Sequence, residues 1–338
     1  EGEAFSIDYD LPNDMAYAET CASIGLGFFA RRMLDIHADN RYADIMERVL
    51  YNGVLSGIQL DGKKFFYVNP LEVNPGVSGE IFGYKHVLPQ RPGWYACACC
   101  PPNLVRMVMS LGKYAWGESE DTVYSHLFVG GEAKLGLAQV EVESDYPWNG
   151  RVSYTVTPTE RQRKFSFAIR IPAYVKDKKI LLNGRALSDS AAEADAKSVV
   201  EKDGYLYFTG KWEKQEKIEL RFELPVRKIY CNTAVRANEN CVALMRGPVV
   251  YCFEGVDNDG LLQELRISDQ TVFEASICQE GALKGMTVLT GKGEKLLETD
   301  VLYSENRADR QPVMLRAIPY FAWGNRGVNQ MRVWMEEA

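Results

Sequence analysis

The hydrophobic period of this chain changes once, at Ala115-Trp-Gly-Glu118, and the two sides must fold by different rules. Upstream, apolar residues recur at helical spacing; downstream they alternate or run in short β-branched stretches. Ile24, Phe28, Met33 and Ile36 mark a helix over Cys21 to Ile36, with Thr20 as its N-cap. A second helix is expected from Tyr42 to about Leu55, with Ile45, Val49 and Leu50 on one side and Asn52-Gly53 weakening its end. A third follows Pro101-Pro102, because proline's fixed φ and missing N–H suit a first helical turn. Asp61-Gly62, between Ile58–Leu60 and Phe65–Val68, reads as a short hairpin. From Asn69 to Pro92 glycines and prolines recur without a period, and so long an irregular segment is more often functional than accidental.

Three helices cannot bury all of Phe28, Phe29, Val49, Leu50, Val105, Val108 and Met109, so further helices are expected upstream or from another chain, a homodimer among the options. Beyond residue 118, strand-like runs cover 123–129, 140–142, 152–156, 165–171, 180–182, 205–208, 218–222 and 242–253. Gly130-Gly131, Asn183-Gly184 and Asp203-Gly204 punctuate them as turns. The fold class expected is α+β and multidomain: helices over residues 1–115, a first β-sandwich over 116–224 completed by closing strands in 320–338, and a second over 225–319.

The 338 residues suffice for two or three cores. A net charge of −7 gives no basic footprint for nucleic acid, and no apolar run approaches the roughly 20 residues that span a bilayer. The chain opens Glu-Gly-Glu-Ala-Phe without an initiator Met or a signal-peptide pattern, so it reads as a piece of something longer, and a cytoplasmic location is the expectation. Cys231, Cys241, Cys252 and Cys278 are scattered among strand-like residues and read as buried reduced thiols.

The other cysteines are concentrated. Cys97, Cys99 and Cys100 lie within four residues, upstream of a helix whose N-terminal partial charge favours thiolate over thiol. Neighbouring side chains on a strand diverge, so Cys99 and Cys100 can share a target only where the backbone turns. Glu19 and Cys21 converge if the first helix begins after them, and together with Cys99 and Cys100 they offer three thiolates and a carboxylate, a set that suits zinc. The competing reading is a vicinal Cys99–Cys100 disulfide or buried thiols, with Glu19 capping a helix. The acidic residues Glu1, Glu3, Asp8, Asp10 and Asp14 each read individually as solvated, and His37, His86 and His126 as isolated structural histidines.

Several motifs in order carry a family resemblance. Gly2-Glu-Ala-Phe-Ser-Ile-Asp-Tyr-Asp-Leu-Pro-Asn-Asp14, Ala18-Glu-Thr-Cys-Ala-Ser23 and Phe28-Phe-Ala-Arg-Arg-Met-Leu34 resemble glycoside hydrolase family 127, the β-L-arabinofuranosidases. So do Glu47-Arg-Val-Leu-Tyr-Asn52, Phe65-Phe-Tyr-Val-Asn-Pro70 and Cys97-Ala-Cys-Cys-Pro-Pro-Asn103, with Arg170-Ile-Pro172 and Met245-Arg-Gly-Pro248 in the β-rich part. The resemblance implies the C-terminal half of such an enzyme, starting inside an (α/α)6 barrel and followed by two β-sandwich domains. It implies Cys99 as nucleophile, Glu3 as acid/base, Glu19, Cys21, Cys99 and Cys100 as zinc ligands, and Glu47 and Tyr67 lining the sugar pocket. The implied partners are an arabinofuranosyl oligosaccharide or glycoconjugate and the barrel helices upstream. A second reading keeps zinc as a structural staple and gives carbohydrate binding to the sandwiches, with Trp148, Trp212 and Trp323 as stacking platforms.

Overall fold

The computed structural model describes residues 3, 4, 6–187, 193–194, 197–258, 261–297 and 300–338. Glu1, Gly2 and Phe5 of the opening motif lie outside the described residues. The chain divides into two compact units: Glu1–Ile24 with Leu50–Leu104 and Val226–Ala338, and Gly25–Val49 with Val105–Pro225.

Helix α1 spans Thr20–Ile36, α2 Asn40–Val49 and α3 Cys100–Met109. The α2 helix stops before the expected Leu55: a π-helical turn takes Leu50–Val54 and a 3-10 turn Leu55–Gly57. Tertiary contacts override the α-period there. Asn52 donates from Nδ2 to the Pro248 carbonyl at 2.9 Å and accepts the Val250 N–H at 2.8 Å, while a Cβ on Gly53 would stand 2.4 Å from Ser23 Oγ.

Among the described residues, the second unit holds two six-stranded sheets. Along Ala138–Ser144, residues 138, 140 and 142 are buried and 139, 141 and 143 exposed, the alternation of a strand with one face on a core. Tyr154 from one sheet packs edge-on against Phe167 of the other and pairs its hydroxyl with Ser125 Oγ at 2.9 Å, so the sheets share a core. Asn183-Gly184 and Asp203-Gly204 all take positive φ, as tight hairpins require.

At the heart of this unit Arg170, fully buried, pairs through Nη1 with Asp44 Oδ1 at 2.5 Å and through Nη2 with Glu47 Oε1, and its guanidinium lies over the Phe128 ring. Tyr174 donates its hydroxyl to Glu47 Oε2 at 3.0 Å. Glu47 is therefore a buried ion-pair partner, 1% exposed, with both oxygens engaged. Arg170→Met strands the Glu47 and Asp44 carboxylates, and we expect it to lower unfolding free energy by about 3–5 kcal/mol in denaturant titration. A variant as stable as the parent would show the pair to be dispensable.

Among the described residues, the C-terminal sheet of the first unit has ten strands and closes on itself. Cys241–Arg246 pairs with Val249–Glu254, which pairs with Arg310–Pro319, then Thr287–Leu296, then Leu265–Arg266. A bridge from Ile267 to Glu337 leads to Met335–Glu336, which returns to Cys241–Val242. This corrects the expectation for residues 320–338. Met331–Arg332 and Met335–Glu336 complete the C-terminal sheet, not the first sandwich, because their exposed backbone edges are taken by Val249–Glu254 and Cys241–Arg246. The ring also replaces the second pair of separate sheets expected over 225–319.

Candidate metal centre and active site

Two helix N-termini meet in the first unit. Glu19 is extended and bridges antiparallel to Val68, and α1 starts one residue later, its first bond running from Ser23 N–H to the Glu19 carbonyl at 3.1 Å. The helix thus begins between Glu19 and Cys21, not after both. The two side chains still converge because Glu19 keeps strand geometry while Cys21 sits in the first turn. Thr20 does not cap: its hydroxyl donates to the Phe66 carbonyl at 2.9 Å. On the other side the Asn103 N–H reaches the Cys99 carbonyl at 3.2 Å, making Cys99 the residue before α3 and Cys100 its first. Pro101 and Pro102 occupy the turn where missing N–H groups cost nothing.

The ligand atoms of Glu19, Cys21, Cys99 and Cys100 all lie within 4.8 Å of one another. Cys21 and Cys100 sulfurs are 3.5 Å apart, Cys99 and Cys100 sulfurs 3.7 Å, and both Cys99 and Cys100 stand 3.7 Å from Glu19 Oε1. A disulfide needs about 2.05 Å, so the vicinal disulfide is not formed, and all eight cysteines are free. Four ligands around zinc with Zn–S bonds of about 2.3 Å place their sulfurs ~3.8 Å apart, so this donor set fits a tetrahedral ion with little adjustment. Burial, and then the neighbouring Cys21 thiol, push the Cys100 thiol well above its ordinary range. A bound cation and the two helix N-termini act in the opposite sense.

Beside the cluster, Tyr67 donates its hydroxyl to Glu3 Oε1 at 2.6 Å. The Glu3 bond first, then burial, then the Cys99 thiol drive the phenol's pKa upward. Tyr17 reaches the same oxygen of Glu3 at 3.4 Å, packs edge-on against Tyr67 and stacks on His86. The Tyr67 N–H is held by the Tyr95 hydroxyl at 3.0 Å.

Six of the seven residues singled out from sequence therefore belong to one neighbourhood of the first unit, namely Glu3, Glu19, Cys21, Tyr67, Cys99 and Cys100, and Glu47 belongs to the second unit, where it pairs with Arg170. Tyr17, Tyr95 and the ring of His86 escaped the sequence reading, since lone aromatics in an irregular segment carry no period. His126 is buried against Tyr205, its Nδ1 2.7 Å from that hydroxyl, and burial holds its pKa down at about 3. His37 is exposed near Asp203. Trp212 and Trp323 are 0% and 1% exposed, so neither can be a stacking platform for sugar.

Residues 1–113 match the GH127 catalytic domain of β-L-arabinofuranosidase, 122–224 the GH127 middle domain and 226–336 the GH127 C-terminal domain. A non-reducing end β-L-arabinofuranosidase from Bifidobacterium longum subsp. longum is 37% identical over 348 residues, covering 98% of this chain and 51% of its own length. The crystal structure of a GH127 β-L-arabinofuranosidase from Geobacillus stearothermophilus T6 superposes with a TM-score of 0.91 at 42% identity, over 99% of this chain and 52% of that one. A further GH127 β-arabinofuranosidase gives 0.86 at 32% identity, over 99% and 52%. The chain thus spans about half the length of the relatives it matches. With three successive domains of one family matched in order, this chain belongs to glycoside hydrolase family 127.

Proposed function

We propose that the protein, with the further length that its relatives possess, is a zinc-dependent retaining glycosidase that releases terminal β-L-arabinofuranose. What carries this reading is the gathering of the Glu19, Cys21, Cys99 and Cys100 donor atoms within 4.8 Å of one another in the unit that also holds the Tyr67–Glu3 hydrogen bond. A retaining glycosidase needs a nucleophile and an acid/base flanking the anomeric carbon, normally two carboxylates, and here a cysteine would replace one of them. In the family the relatives named above act on β-L-arabinofuranosides, and the substrate is taken from them.

Glu19, Cys21, Cys99 and Cys100 would hold the metal, which when bound keeps the thiols ionised at neutral pH and favours thiolate as a leaving group. The Cys99 sulfur attacks the anomeric carbon while Glu3 gives its proton to the departing glycosidic oxygen. The carbon–oxygen bond breaks, and a thioglycoside forms on Cys99. Glu3, now a carboxylate, takes a proton from water; the hydroxide oxygen bonds to the same carbon, and the carbon–sulfur bond breaks to return Cys99 thiolate. Two displacements at one carbon give net retention. Tyr17 and Tyr67 both address Oε1 of Glu3, which leaves Oε2 to carry the transferred proton.

The helices fit the same reading. Phe29 and Ile36 on α1 and Val105 and Met109 on α3 are exposed, as expected if they belong to an (α/α)6 barrel whose other helices lie outside these 338 residues. The test is metal content with activity. Purified full-length protein should hold about one zinc per chain, chelation should abolish hydrolysis of an aryl β-L-arabinofuranoside, and zinc should restore it. Full activity in metal-free protein would overturn the proposal.

A further inference from the structure

Behind the Glu19–Cys21 half of the cluster lies a buried hydrogen-bond network that the chemistry above does not use. Asn69, 2% exposed, donates from Nδ2 to the Ala18 carbonyl and to Thr20 Oγ1, both at 3.0 Å, and its backbone N–H also reaches the Ala18 carbonyl at 3.2 Å. Its Oδ1 accepts the hydroxyl of Ser56, which is fully buried. Thr20 in turn donates its hydroxyl to the Phe66 carbonyl at 2.9 Å and its N–H to the Tyr67 carbonyl at 3.0 Å. Gly57 closes the back: a Cβ there would stand 2.6 Å from Thr20 Cγ2 and 2.8 Å from its Oγ1.

The residues that Asn69 clasps are the two neighbours of Glu19, and Thr20 is also the neighbour of Cys21. On a continuous helix Glu19 and Cys21 would point about 200° apart. They converge only because the chain changes from strand to helix at Thr20, and the clasp sits at that change. We infer that Asn69 is a positioning residue for the metal ligands, holding Ala18 and Thr20 so that Glu19 and Cys21 face the Cys99 and Cys100 thiols before any ion arrives. The inference rests on the zinc reading above. Partners that orient metal ligands typically govern affinity by 10–100-fold.

The measurement is the rate at which zinc passes from full-length, zinc-loaded protein to a chromophoric chelator, beside the melting temperature of metal-free protein. Asn69→Ala should lose zinc roughly 10–100 times faster than the parent. Thr20→Val should shift in the same direction, and Thr20→Ser, which keeps the hydroxyl, should hold zinc as the parent does. Asn258→Ala is the control for losing a buried amide: it bonds the Glu254 and Arg316 carbonyls at 2.8 and 2.9 Å in the C-terminal sheet. It should lower the melting temperature and leave zinc transfer unchanged. Asn69→Ala that melts early yet holds zinc like the parent would overturn the inference. If Asn69→Ala does not fold, equal zinc retention in Thr20→Val and Thr20→Ser overturns it instead. A parent protein without zinc is a separate result, which removes the metal reading and the inference with it.

Discussion

In the full-length protein Cys99→Ser should cut kcat by roughly 10⁴-fold or more, because the covalent step loses its nucleophile. Serine has nearly the shape of cysteine, and Cys99 is only half-buried, so the fold should survive; unchanged circular dichroism and melting checks that. Glu19, Cys21 and Cys100 remain to bind metal, so part of the zinc should stay with the variant. A loss of turnover with metal largely retained separates nucleophile from staple. If zinc merely braced the helices, this variant would work like the parent.

Glu3→Gln should show a different pattern. Removing a general acid/base costs typically 10²–10⁴-fold, and the loss should depend on the leaving group. With a natural sugar leaving group both displacements slow. With a strongly acidic phenol, which departs without protonation, the first displacement is spared and only the second slows, so a burst of phenol precedes a slow steady state. The Tyr67 hydroxyl, which donates to Glu3 at 2.6 Å, can equally bond a glutamine oxygen, so the substitution changes protonation and not placement. A uniform loss across leaving groups would show that Glu3 acts by some other means.

Much of the architecture could be read from local signals. Helical spacing from Ile24 to Ile36 and alternation through Val140 and Val142 depend only on which face is buried, and Asn183-Gly184 and Asp203-Gly204 specify their turns by needing positive φ. What could not be read was pairing across the chain. Nothing in Met331–Met335 distinguishes an edge beside Val249–Glu254 from one in the first sandwich, since strand partners are chosen by tertiary fit. Helix ends shifted for the same reason: Asn52 bonds a hairpin about two hundred residues away, at Pro248 and Val250, and the α2 helix gives way to a wider turn. At the site, the thiols and Glu19 were legible because adjacent cysteines before paired prolines are rare and chemically loaded. The Glu47–Arg170 pair is not legible because its partners are remote in sequence, and neither are Tyr17 and Asn69, because a hydroxyl or an amide matters only for what it touches.

The most direct measurement is the mass of the covalent adduct. Full-length, zinc-loaded Glu3→Gln treated with a dinitrophenyl β-L-arabinofuranoside should accumulate one pentofuranosyl group, and peptide mapping should locate it on the sulfur of Cys99. An adduct on a carboxylate, or none despite a burst of dinitrophenol, would contradict a cysteine nucleophile.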